Sequence, residues 1–269
     1  MRLPRHLLEK FYKSYVRGFL RYGIEIWSHA RNAHRVDSVD IAGQRMCAGL
    51  LHCTRNDRVM WETNMIPLVD IARWSNIKLV MTCLKHKHRV MHDLIVDAFD
   101  SQAPGSMMQS MISVWNDMNL PTLDQYMLTI LTHDDWQVLQ DTVKSLKPVA
   151  HPKHWVYRDN FWQEKVLSRY RAGVQPTRAW AKRVGLQWSD TCRHCQCVPE
   201  TMSHLLFDEC SGLSIKFDLT TKFGITDVIG VMDMLRSESE SENRQALEEH
   251  LLYVTRVNDV FGRRIPGVT

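Results

Sequence analysis

Residues 192–210 read CRHCQCVPETMSHLLFDEC. This short stretch holds four of the chain's seven cysteines and two histidines. Cys192 and Cys195 are separated by two residues, the spacing at which a tight turn brings two sulfurs to one ion. His204 follows on ETMSHLLFDE, which has helix chemistry, and Cys210 falls at or just past the end of that helix. Two donors from a turn and two from a helix and its exit make a closed tetrahedral set, with no position for a catalytic water. Cys197 could replace Cys195, and His194 could compete. The preferred ligands of a structural Zn2+ are Cys192, Cys195, His204 and Cys210.

Around this knuckle the charge is uneven. The 269 residues carry a formal net charge of +4. Residues 144–198 contain eleven Lys or Arg against Asp159, Glu164 and Asp190, so the rest of the chain is net acidic. Aromatic residues are interleaved there: Trp155, Tyr157, Phe161, Trp162, Tyr170, Trp180 and Trp188. Cations release counterions from phosphates, and exposed rings stack on unpaired bases. The combination points to RNA or DNA as partner, with Arg169, Arg171, Arg178, Lys182 and Arg183 as phosphate contacts. Phe161 and Trp162 are expected in the core.

The rest of the chain reads as mainly α. Leu8, Phe11, Tyr15, Phe19, Tyr22 and Ile26 recur at steps of three and four, predicting one long amphipathic helix that ends near Trp27. A second helix is expected over 36–51, and a third opens at Pro67. Residues 101–122, with Pro104, Gly105 and a methionine-rich run, read as a boundary. Helices are predicted near 123–131 and 134–146, from Trp155 to about Ala172, around Trp180, and at the end along Leu247, Leu251, Val254, Val257 and Phe261. Composition divides the chain into 1–100, 101–152, 153–222 and 223–269.

A hydrophobic content of 44 % suffices for a core. MRLPRHLLEK has no uninterrupted apolar region of a signal peptide, and no apolar run approaches the length of a membrane helix. The expectation is an intracellular, soluble protein with no membrane partner, in which clustered cysteines are metal ligands rather than disulfides. No catalytic set is evident. His133-Asp134-Asp135 precedes a helical pattern and reads as helix-start chemistry. His86, His88 and His92 read as a solvated face.

FYKSYVRGFLRYGIEIW, AGQRMCAGLL, WETNMIPLVDIARWSNIKLV, VLSRYRAGVQPTRAW and CRHC…ETMSHLLFDEC, in that order, together resemble segments of non-LTR (LINE-like) retrotransposon reverse transcriptases. FYKSYVRGFLRYGIEIW is similar to their thumb-region helix through Tyr12, Val16, Leu20, Tyr22, Gly23, Glu25 and Trp27. AGQRMCAGLL, with Gln44 and Leu50, resembles the next segment, and WETNMIPLVDIARWSNIKLV the one after it. VLSRYRAGVQPTRAW is similar to the stretch before the family's zinc knuckle, and CRHC…ETMSHLLFDEC to the knuckle itself. The resemblance implies a thumb-like helical bundle, a helical linker and a CCHC module with a C-terminal helix, downstream of a polymerase palm. It implies a grip on template–primer and on template RNA or target DNA, and the polymerase domain as a further partner. The palm's aspartate dyad and a nuclease motif are not found in this sequence, so the chain is expected neither to polymerise nor to cut. The competing expectation is a helical protein-interaction scaffold with a structural zinc. Its partner surfaces would be the acidic 238–249 and methionine-rich 107–118 stretches, as in a repurposed or decaying retroelement.

Overall fold

The computed structural model describes residues 3–29, 33–86, 90, 93, 97, 107–120, 133–150, 158, 160–208, 210–237 and 241–260. Among them the chain is mainly helical, and an isolated antiparallel bridge, Thr191 to Pro199, is the one β feature. The helices are α1 (Arg5–Phe11), α2 (Arg17–Arg21) after a π-helical turn (Tyr12–Val16), α3 (Ile24–Trp27), α4 (Ala33–Ala48), α5 (Asn56–Thr63), α6 (Leu68–His86), α7 (Met107–Asp117), α8 (His133–Ser145), α9 (Phe161–Arg171), α10 (Arg178–Arg183), α11 (Met202–Leu206), α12 (Leu219–Phe223), α13 (Val228–Arg236) and α14 (Ser241–Val257). No helix among the described residues is long and apolar enough to cross a membrane.

The chain forms two compact units, each discontinuous in sequence. One comprises Met1–Tyr12, Ile41–Asn64 and Pro152–Thr269; the other, Lys13–Asp40 and Met65–His151. The four segments drawn from composition therefore do not correspond one to one with the packed units.

The first unit is organised round α9. The Asn160 side chain accepts from the backbone N–H of Trp162 and Gln163 and so starts the helix. Val166, Leu167 and Tyr170 then pack with Leu205, Leu206, Phe217, Val231, Leu235, Leu247, Leu251 and Val254. The predicted row on α14 is buried through Val254, whereas Val257 is exposed and Phe261 lies outside the described residues. Trp155 and Tyr157 also lie outside them.

Buried charges hold the first unit as well. Arg5 donates to Glu9 (2.8 Å), Glu62 (2.7 Å) and Glu164 (3.0 Å), and also meets Ser168. Arg171 donates to Glu62 (2.8 Å) and to Glu164. All of these residues are under 5 % exposed. Charges so deep survive only when paired and hydrogen-bonded, and here three distant segments supply the pairs.

In the second unit α6 packs on α7 and α8 through Ile77, Val80, Met81, Met111, Trp115, Leu139 and Val143. Its opposite end meets α3 through Leu68, Ile71, Ala72 and Ile24. Arg17 holds Asp40 with two hydrogen bonds of 2.9 and 3.0 Å and donates to the Ile66 carbonyl.

Three expectations are corrected. The long first helix is interrupted, by the π turn and by Gly23 in the left-handed conformation (φ 62°). Its aromatic row faces outward: Phe11, Tyr15, Phe19, Tyr22 and Ile26 are exposed, while Arg5, Glu9, Tyr12, Arg17 and Ile24 are buried. The inward face is charged because carboxylates and carbonyls from elsewhere satisfy its cations. The methionine-rich run is not a boundary or a free surface, since it forms α7, whose Met111 and Trp115 lie in the core. The α5 helix, absent from the predicted elements, ends at Asn64 in the left-handed region (φ 51°). The predicted 123–131 helix, His88 and His92 fall outside the described residues. Asp134 and Asp135 do fall in the first turn of α8.

Candidate metal centre and basic surface

The bridge between Thr191 and Pro199 closes the loop that carries the first two cysteines. Cys192 N–H donates to the Val198 carbonyl (2.7 Å), and Glu200 N–H to that of Asp190 (2.7 Å). Gln196, at φ 57°, turns the chain and donates back to the Cys192 carbonyl (3.0 Å). Glu200 is fully buried and pins the loop from below. Its carboxylate accepts from Arg193 Nε (2.8 Å), Nη2 (2.7 Å) and backbone N–H (3.1 Å), and from Arg178 N–H (3.0 Å). Burial alone would raise the Glu200 carboxyl, but the Arg193 hydrogen bonds outweigh it and hold it below the usual range.

The other two donors come from α11 and its exit. Thr201 caps this helix by accepting from His204 N–H (3.0 Å). Leu205 and Leu206 anchor the helix in the core, which fixes the facing direction of buried His204. Past Cys210 the chain runs against the first turn. A Cβ on Gly212 would lie 2.1 Å from the His194 backbone, so only glycine permits this approach.

The ligating atoms of Cys192, Cys195, His204 and Cys210 all lie within 4.8 Å of one another. The two sulfurs of Cys192 and Cys210 are 3.7 Å apart, and Cys195 Sγ is 3.3 Å from His204 Nε2. Zinc bond lengths would set tetrahedral edges of about 3.7 Å between sulfurs and about 3.5 Å between sulfur and nitrogen. The donors fit such an ion in kind and in spacing, so this group can hold a metal. His204 Nδ1 faces Asp208 Oδ2 at 3.9 Å. His194 and Cys197 are outside the group: His194 N–H donates to Cys192 Sγ (3.4 Å), and exposed Cys197 donates its thiol to the Cys195 carbonyl (3.0 Å).

Two thiols are shifted in opposite directions. Backbone N–H groups of Cys197 and Val198, with His204, hold Cys195 down to about 6 against a smaller opposing effect of burial. Burial pushes Cys210 up to about 12, with the neighbouring Cys192 and Cys195 thiols adding to it.

The five predicted phosphate contacts separate into two groups. Arg169 and Arg171 are corrected, because both are internal. Arg169 is 8 % exposed, donates to the Gly49 carbonyl (3.0 Å), and burial lowers its pKa to about 10. Arg171 is fully buried between Glu62 and Glu164. Arg178 is half-buried and donates to the Thr191 carbonyl (3.2 Å). Lys182 and Arg183 are exposed, Lys182 pairing with Asp190 at 3.0 Å. Phe161 and Trp162 are half-buried, Tyr170 is fully buried, and Trp188 is fully exposed.

Sequence reasoning missed a segment from far upstream that meets α10. The Trp180 indole N–H donates to Cys53 Sγ, and its ring meets His52 edge-on at 6.0 Å. Arg45 holds this 49–56 loop through the Thr54 carbonyl (2.8 Å) and Asn56. No local pattern marks this contact. Compared with protein-family models, curated proteins and solved structures, the chain matches none.

Proposed function

We propose that Cys192, Cys195, His204 and Cys210 hold one Zn2+ as a structural ion. On this reading the unit that carries it binds RNA or DNA, as the C-terminal region of a non-LTR retrotransposon reverse transcriptase. The observation that carries the reading is the convergence of three sulfurs and one imidazole within 4.8 Å. Held by four protein donors, the ion ties the 192–195 turn to α11 rather than activating water. Exposed Lys182 and Arg183 lie on α10, which Arg178 joins to this loop, so the tie fixes a cationic surface in place. The order of the segments that resemble the retroelement family, from Tyr12 to Cys210, supports the parentage, and nuclear localisation follows from it.

Purified chain is expected to contain one zinc per molecule by elemental analysis. It should retain RNA or DNA on filters with an affinity that falls steeply with salt. Changing Lys182→Ala together with Arg183→Ala should flatten the salt slope by about 0.7–0.9 for each phosphate that is no longer neutralised. An unchanged slope removes these cations from the interface. The competing reading is a helical protein-interaction scaffold with a structural zinc. Exposed Tyr15, Phe19, Tyr22 and Ile26 favour it, and absence of nucleic-acid retention at low salt would establish it over the first.

A further inference from the structure

We infer that the surface formed by α10, the loop after it and the 49–56 loop accepts an unpaired polynucleotide strand, with Trp188 as a stacking platform; this rests on the nucleic-acid reading above. Lys182 Nζ reaches Asp190 Oδ1 at 3.0 Å and closes the 183–190 loop back on α10. Gly185, at φ 76°, permits the reversal, with open space where a Cβ would stand, and Trp188 stands on this closed loop 100 % exposed. A short ion-paired loop thus presents an indole to water on the segment that follows the exposed cations Lys182 and Arg183.

The 49–56 loop meets α10 through Trp180. Trp180 is half-buried, with His52 edge-on to it at an interplanar angle of 63°. Arg55, three residues from His52, has a side chain 74 % exposed and pairs with the exposed Asp57. Two segments more than a hundred residues apart in sequence therefore meet at α10 and each carry an exposed cation. Cations alone serve any polyanion. An exposed indole adds affinity only where a base can leave its partner and offer a ring face, which a duplex denies and a single strand permits. The surface consequently discriminates by strandedness rather than by base sequence. RNA and DNA present the same ring faces and phosphates to it.

The test uses the zinc-loaded full chain and labelled oligonucleotides of about 16 nucleotides, as unpaired RNA, unpaired DNA and DNA duplex, read by fluorescence anisotropy at two salt concentrations. The native chain should prefer either single strand. Trp188→Ala should weaken single-strand binding by about tenfold and leave duplex binding unchanged, whereas Trp188→Phe should recover most of the loss. Because Trp188 packs on nothing, circular dichroism and metal content should match the native chain. Equal affinity for strand and duplex, or no effect of Trp188→Ala, overturns the stacking surface while leaving the nucleic-acid reading intact. Equal displacement of the bound strand by polyglutamate also overturns it, as a surface that responds to charge alone. Failure of every oligonucleotide to bind at low salt overturns the nucleic-acid reading itself and the strand surface with it.

Discussion

The first unit contains two buried polar centres that are satisfied in different ways. Around Glu62 and Glu164, each carboxylate meets both Arg5 and Arg171, so positive and negative groups are supplied in the same cluster by the chain itself. Around Cys210 the donors are three sulfurs and an imidazole, all of them electron-pair donors when deprotonated. Cys195 is favoured as thiolate while Cys210 is pushed to keep its proton. A divalent cation would let all these sulfurs ionise together, and its binding would release protons. On the proposed reading, one centre is closed by folding alone and the other by folding plus an ion. On that reading the stability of the unit depends on metal at one site and not at the other.

The largest effect that separates them is metal removal. Cys210→Ser, or a strong chelator added to the native chain, should remove the zinc and lower the thermal midpoint by on the order of 10 °C, since structural zinc sites carry much of the folding energy of small modules. The chelator should have no further effect on Cys210→Ser. A native melt indifferent to chelation would reduce the cluster to ordinary core thiols and erase the distinction between the two centres.

Next in size is the charge centre. Glu62→Gln leaves Arg5 and Arg171 with one shared carboxylate fewer in a dry interior, a loss of about 3–5 kcal/mol in chemical denaturation. Burial alone would raise the Glu62 carboxyl, but Arg171 and Arg5 outweigh it and hold it below the usual range. A carboxyl depressed in the folded state contributes stability above its unfolded pKa, about 4.3, and loses it as pH falls through the folded value. The gap between native and Glu62→Gln stabilities should therefore be full near neutrality and shrink at acid pH. A gap independent of pH would mean that Glu62 acts by packing rather than by charge. The response to chelator should persist in Glu62→Gln, because the two centres share no residue.

The two centres also differ in how far they could be read from the chain. A ligand set of this kind leaves a local record: Cys192 and Cys195 are two residues apart in one turn, and His204 and Cys210 lie on one short helix and just past it. Ion pairing leaves none of that kind. Arg169 and Arg171 count as surface charge in any window of sequence, yet Gly49 and Glu62, more than a hundred residues earlier, draw them inward. The same limit governs residues 5–27. The spacing of Phe11, Tyr15, Phe19 and Tyr22 identifies a face correctly, but periodicity does not say whether a face turns inward. Partners for Arg5 and Arg17 decided that, and they come from α4, α5, α9 and the Ile66 carbonyl. Helical class and the grouping of Cys192, Cys195, His204 and Cys210 were thus legible, whereas the discontinuous units and the joining of the 49–56 loop to α10 depend on contacts without local signature.

The smallest effect concerns the boundary of the metal centre. His204 directs Nε2 to Cys195 and Nδ1 toward Asp208, an arrangement in which a carboxylate behind a ligating imidazole fixes its tautomer and raises its basicity. The separation of 3.9 Å is long for a hydrogen bond, and the Asp208 side chain is 59 % exposed, so water competes for it. Asp208→Asn should consequently weaken zinc by about tenfold or less, measured by competition with a chromophoric chelator, with an unchanged melt at saturating metal. A loss well beyond about a hundredfold would place the carboxylate on the ion itself. One of the three sulfurs would then be a bystander, and the centre would draw part of its charge balance from a carboxylate, as its neighbour round Glu62 does.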